Sequence, residues 1–90
     1  MNKSIITIVG KDQVGIIANV CSFLANKNIN ILNIAQTILD GFFNMMMIVD
    51  LSKSELSFLK IEEELKNIGA SLNVSIQIQK EEIFNSMHRI

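Results

Sequence analysis

The segment Gly10-Lys11-Asp12-Gln13-Val14-Gly15-Ile16 holds the residues best suited to chemistry in this 90-residue chain. It joins a β-branched run, Ile5-Ile6-Thr7-Ile8-Val9, to a stretch of helical period, so it sits where a first helix should begin. The start of a helix presents N–H groups without intrahelical acceptors and the positive end of the dipole, and both stabilise a carboxylate. Gly15 lacks a Cβ, which suits close approach of a ligand, although tight helix–strand packing would use a glycine equally. Asp12 offers an acceptor for an ammonium group, or alternatively a cap for the helix. Together these are means of holding a small zwitterion. Groups for converting one are missing, because no nucleophile–base pair, paired carboxylates or metal-ligand spacing can be read anywhere in the sequence.

Composition narrows the function classes further. Eight basic and nine acidic side chains leave a net charge of −1, which argues against a nucleic-acid or membrane-surface binder. Cys21 stands alone, so neither a disulfide framework nor a cysteine-based metal site is available, and it reads as a small buried hydrophobe. His88 is equally solitary and suits a cap or surface role better than a metal site. No cofactor is implied. No apolar run approaches the ~18 residues of a membrane span, and Met1-Asn2-Lys3-Ser4 leads straight into strand-like sequence, so a cytoplasmic location is expected. An apolar fraction of 49% is ample for one core and leaves surface for a partner to cover.

The elements that must position the loop can be read between the glycines. Ile16, Ile17, Val20, Phe23 and Leu24 share one arc of a helix that runs from Gly15 to about Asn28, where Asn28 and Asn30 break it. A second strand, Ile31 to Leu39, meets Asp40-Gly41, a strong hairpin signal, and Phe42 to Leu51 returns as a third. A two-residue loop places Ile34, Gln36 and Ile38 on the same face as Phe43, Met45 and Met47. Gln36 fits poorly on that apolar side and marks a bulge or a polar group with a partner. Ser52, Ser54 or Ser57 caps a second helix carrying Phe58, Ile61, Leu65 and Ile68, and Gly69 is placed to end it in a left-handed cap. Leu72 to Gln79 alternates apolar and polar residues as a strand covered on one face. Ile83, Phe84, Met87 and Ile90 then form a small helical stripe.

This order, βαββαβ with a terminal helix, is an α+β, ferredoxin-like sandwich: a four-stranded antiparallel sheet under two helices, strands one and three central. One domain spans residues 1–90, with a core of 1–80 and a helical tail of 81–90. The second strand becomes an exposed edge. The face away from the helices shows Ile5, Val9, Phe42, Met46 and Ile48 among Thr7, Asn44, Asn73, Ser75 and Gln77. Edge and face together predict self-association. Several activities of this architecture are excluded by residue type. Arg89, the sole arginine, lies in the tail, out of reach of a phosphoryl site after strand one. Strand one also lacks aromatic residues for stacking RNA bases.

The loop, the helix after it, and Asn28-Ile29-Asn30-Ile31 entering strand two resemble the ACT domain, a small-molecule sensing module attached to enzymes of amino-acid metabolism. The stretch Glu81 to Ile90 looks like the C-terminus of a bacterial subfamily in which the module stands alone, similar to the regulatory repressor of the glycine cleavage system. The resemblance implies a homodimer in which the first loop of one subunit faces strand two of its neighbour. It places Gly10, Asp12, Gln13, Val14, Gly15 and Ile16 opposite Asn30 and Asn33 of the other copy, with an amino acid or similar metabolite between them. Many ACT domains carry proline where this chain has Val14, so ligand preference does not carry over. Asn30 would serve equally as a turn residue. The expected function is therefore non-catalytic sensing by a homodimer. The alternative is a protein-interaction or dimerisation domain without a ligand, whose sheet face takes a protein partner.

Overall fold

The computed structural model describes residues 2–11 and 15–82. Asp12, Gln13 and Val14 of the loop, and Ile83 to Ile90 of the expected tail helix, lie outside the described residues. The elements are β1 (Lys3–Lys11), α1 (Ile16–Asn26), β2 (Asn30–Leu39), β3 (Phe42–Asp50), α2 (Phe58–Leu72) and β4 (Ser75–Lys80). They form one antiparallel sheet in the order β2-β3-β1-β4, as the ferredoxin-like reading requires. The hairpin closes on Asp40 and Gly41, both at positive φ, 53° and 81°, which matches the right-handed twist of the strands it joins.

The core lies between the two helices and one face of the sheet. Ile6 and Ile8 of β1 pair with Met47 and Met45 on one side and with Ile78 and Ile76 on the other. Ile16, Val20 and Leu24 of α1 and Ile61 and Leu65 of α2 close over them, and all are buried. Side chains of this size each contribute about 1.5–3 kcal/mol when taken fully out of water, so this layer is the main source of stability.

Both helices end in the same way, which corrects the reading of Gly69. Asn73 takes the left-handed conformation at φ 58°, and the Val74 and Asn73 N–H groups donate to Gly69 and Ala70 carbonyls. Asn28, also at φ 58°, closes α1 with Ile29 and Asn28 donating to Leu24 and Ala25. These are Schellman closures built on asparagine. Gly69 lies inside α2, where a Cβ would stand 2.8 Å from the Val74 carbonyl oxygen and 3.2 Å from Ile76 Cγ1. It is there to let the helix approach β4. Alanine at an ordinary helical glycine gains up to about 1 kcal/mol. Gly69→Ala should instead lose about 1–3 kcal/mol through overpacking, seen as a lower urea midpoint. Because α2 runs on to Leu72, β4 starts at Ser75, and Asn73 belongs to the turn rather than to the sheet face.

Two further expectations resolve here. Of the three candidate serines, Ser57 caps α2, its Oγ accepting from the Lys60 N–H at 3.2 Å. The bulge in β2 falls between Ile31 and Asn33, around Leu32 and away from Gln36. Gln36 does share a face with Ile34 and Ile38 and pairs with Met45, but β2 lies beyond the cover of the helices. Residues 32–38 are exposed on both faces, so the amide meets water.

Asp50, at the end of β3, ties the strand ends together. Its Oδ1 accepts from Ser52 N–H at 3.0 Å and Asn2 N–H at 3.1 Å, and these donors, Ser52 first, hold its carboxyl below the ordinary carboxylate range. A depressed folded-state pKa stabilises the fold above the unfolded value, near pH 4, and that contribution disappears as pH falls through the folded value. Asp50→Asn should therefore flatten the acid limb of a stability–pH profile below about pH 4.

Candidate functional site

The candidate site starts where β1 runs out. Gly10 closes the strand opposite Phe43, and Lys11, opposite Phe42, is exposed. A Cβ on Gly10 would stand 2.6 Å from Val74 Cγ1 and 3.2 Å from Val74 Cα. Val74 thus fills the space that Gly10 leaves, so this glycine serves the approach of β1 to the α2–β4 turn.

Gly15 answers a different demand. Its φ is 97°, in the region that favours glycine, while the nearest atom to an added Cβ is Asn19 Nδ2 at an ordinary 3.5 Å. Conformation, not crowding, fixes the residue, so the expectation of tight helix–strand packing at Gly15 is not met. Gly15 is itself the N-cap of α1, without a side-chain cap hydrogen bond, and Asp12, considered for a capping role, lies outside the described residues. Asn19 reaches back from the next turn, its Nδ2 donating to the Gly15 carbonyl at 2.8 Å beside its own N–H at 2.9 Å. That leaves the first N–H groups of α1 without intrahelical acceptors, as at any helix start, and the N-cap itself, a glycine, offers them no side chain. Ile16 turns its side chain into the core at 1% exposure and can offer the site only its backbone.

Asn30 and Asn33 are elsewhere in the chain. Asn30 opens β2 opposite Asp50, which in turn faces Lys3, so it stands at the far end of the sheet from Gly10. The eight steps of β1 from Lys3 to Lys11 separate the two ends by roughly 26 Å at about 3.3 Å per residue. Asn33 is exposed, and its Oδ1 accepts the Ile34 N–H at 2.9 Å. A single chain therefore gathers Gly10, Gly15 and Ile16 at one end and keeps Asn30 and Asn33 at the other.

The sequence reading missed Val74 and Asn19 in this region, and it placed Phe42 on the outer sheet face without showing the recess that Phe42 lines. The recess at the loop end of the sheet, about 520 Å³, is lined by Val9, Thr37, Asp40, Phe42, Phe43 and Asn44. Its signal was the exposed Phe42 beside the hairpin glycine, which alternation alone could not assign to a concave surface. Among the described residues no group of histidine, cysteine or acidic side chains could hold a metal ion, and no helix is long and apolar enough to cross a membrane.

Comparison with known proteins agrees with this geometry. The family model described as the ACT domain matches residues 3–79. A UPF0237 protein of Bifidobacterium longum is 53% identical over 90 residues, covering 100% of both chains. An ACT domain protein from Streptococcus pneumoniae is 43% identical, covering 92% of this chain and 93% of its own, with a TM-score of 0.80. A candidate glycine cleavage system transcriptional repressor shares the fold at a TM-score of 0.77 and 22% identity, over 88% of this chain and 45% of its own. The glycine-bounded turn between β1 and α1, the bare edge strand and the β2-β3-β1-β4 sheet are thus those of a module whose members regulate other proteins in response to small molecules: the chain belongs to the ACT domain family.

Proposed function

We propose that this chain is a non-catalytic regulatory module that binds an amino acid or a similar small metabolite as a homodimer. The ligand lies at a seam where the first loop of one copy meets the start of β2 of the other. One observation carries the reading: β2 is an edge strand ten residues long, no described strand pairs with its outer side, and its apolar residues Leu32, Ile34 and Ile38 are 40%, 44% and 53% exposed. Such an edge is a template for a second copy. Antiparallel pairing of two β2 strands about a twofold axis sets Asn30 of one copy beside the Ile38 end of the other. That is the end from which Gly10 and Gly15 project, because Ile38, Phe43 and Gly10 are successive neighbours across the sheet.

In this arrangement the first turn of α1 takes the carboxylate, and Asp12 and the asparagines of the second copy are the groups available to the ammonium end. A ligand that touches both copies favours the arrangement that completes its site, which is how binding at a seam becomes regulation. Calorimetric titration of the purified protein against the common amino acids at millimolar concentration tests the proposal. At least one should give heat, and Gly15→Ala, which strains φ at the helix start, should weaken that binding at least tenfold. Absence of heat with every amino acid would leave the protein-interaction alternative in its place.

A further inference from the structure

We infer that the recess on the sheet face away from the helices is a second small-molecule site, suited to an amine with a flat apolar body. Its volume of about 520 Å³ falls in the range of ligand sites, and Val9, Thr37, Asp40, Phe42, Phe43 and Asn44 line it. β3 alternates here, with Phe43 and Met45 buried beneath the helices and Phe42 and Asn44 on the outer face. Thr37, Asn44 and Val9 are successive neighbours across β2, β3 and β1, so they share that face. They span roughly 10 Å at about 4.8 Å between strands. Phe42, two residues along β3 from Asn44, walls one end and is 57% exposed, and Val9 stands at the side, 45% exposed. Asp40, in the hairpin, belongs to the same end as Phe42. Phe43 turns its side chain into the core at 2% exposure and gives the recess only main-chain atoms.

The lining residues select the ligand. Asp40 is the one charged residue among them, so the charge they complement is positive. Asp40, Thr37 and Asn44 supply a carboxylate, a hydroxyl and an amide oxygen, acceptors matched to the three donors of an ammonium group. The negative face of an aromatic ring adds to this attraction, and the Phe42 ring is more than half exposed. Covering Phe42 and Val9 takes apolar surface out of water, which calls for an apolar body on the ligand. Lys11 stands across the sheet from Phe42 on the same face, outside the lining, where its charge opposes a bound cation. Arylalkylamines are the class that meets these demands. Such a ligand has no carboxylate for the first turn of α1, so this site is distinct from the proposed seam. Pairing of two β2 strands extends the sheet in its own plane and leaves the recess open.

Titration of the full chain with 2-phenylethylamine at millimolar concentration, followed by amide chemical shifts, tests this. The largest shifts should fall at Val9, Thr37, Phe42 and Asn44. The anion 3-phenylpropionate, similar in size, should bind about fivefold more weakly or worse. Asp40→Asn should weaken amine binding by about threefold and leave 2-phenylethanol, the uncharged analogue, unaffected. Asparagine keeps the turn, because Asn-Gly and Asp-Gly close the same hairpins. Phe42→Leu retains an apolar wall but loses the ring face, and should cost the amine about twofold or more. Lys11→Gln should tighten amine binding. Equal affinity for amine, alcohol and acid would reduce the recess to an apolar hollow and overturn the inference. So would preference for the acid, absence of shifts at the lining residues, shifts centred on the first turn of α1, or an Asp40→Asn variant that binds the amine as the original does.

Discussion

Replacing Leu65 with alanine should lower the unfolding free energy by about 2–5 kcal/mol, the range for truncating a buried leucine. Leu65 is 1% exposed at the middle of α2, in the same cluster as Ile61, Val20 and the sheet residues Ile6 and Ile78. The surrounding layer is held on one side by backbone ladders, so it can close only part of the space left behind. Domains of this size have roughly 5–15 kcal/mol of total stability, so the loss is a large share of it. At about 4–8 °C per kcal/mol the melting temperature should fall by about 8 °C or more. Leu59→Ala, six positions earlier on the same helix but 74% exposed, should change stability by no more than about 0.5 kcal/mol. Urea unfolding with an unchanged slope checks both, and similar losses from the two variants would mean that α2 does not bury the face assigned to it.

Local signals made most of the fold legible. Asp40-Gly41 announced the hairpin, strict alternation announced β4, and the 3.6-residue stripes announced both helices. Gly69 shows where such reading stops. A glycine near a helix end serves either a left-handed cap or a close approach, and the letter alone does not separate the two. The separating signal was Asn28-Ile29 recurring as Asn73-Val74, an asparagine followed by an apolar residue that caps each helix from outside. Gln36 was placed correctly by alternation, yet its setting depended on how far the helices reach across the sheet. That is a tertiary quantity, invisible to a period of two. The same holds for Gly10 and Gly15. Their importance was readable, but one answers to Val74, 64 positions away, and the other to its own φ. Candidate residues in the first loop could be proposed from type and spacing. Their separation from Asn30 by the length of the sheet follows only from strand register.

Ile34→Lys combined with Ile38→Lys is expected to convert the proposed dimer to single chains. Both residues lie on the helix-side face of β2, opposite Met47 and Phe43, and both are about half exposed in one chain. Lysine at such positions costs a folded single chain little, since the ammonium group reaches water and the stem covers the apolar strand. A dimer paired through β2 brings the substituted side chains of both copies together, adding like-charge repulsion and losing the apolar contact. The dissociation constant should rise at least a hundredfold, equivalent to about 2.7 kcal/mol, while circular dichroism and the urea slope of the folded chain stay unchanged. Sedimentation equilibrium at micromolar concentration reads this directly, as twice the chain mass for the original protein and one chain mass for the variant. The same pair of samples then locates the ligand. If the seam holds it, the variant loses amino-acid heat together with its partner, because Asn30 and Gly15 of one chain stand at opposite ends of the sheet. Undiminished heat from single chains would confine the ligand to one copy and remove the link between binding and subunit arrangement. An original protein that sediments as single chains would remove the seam altogether.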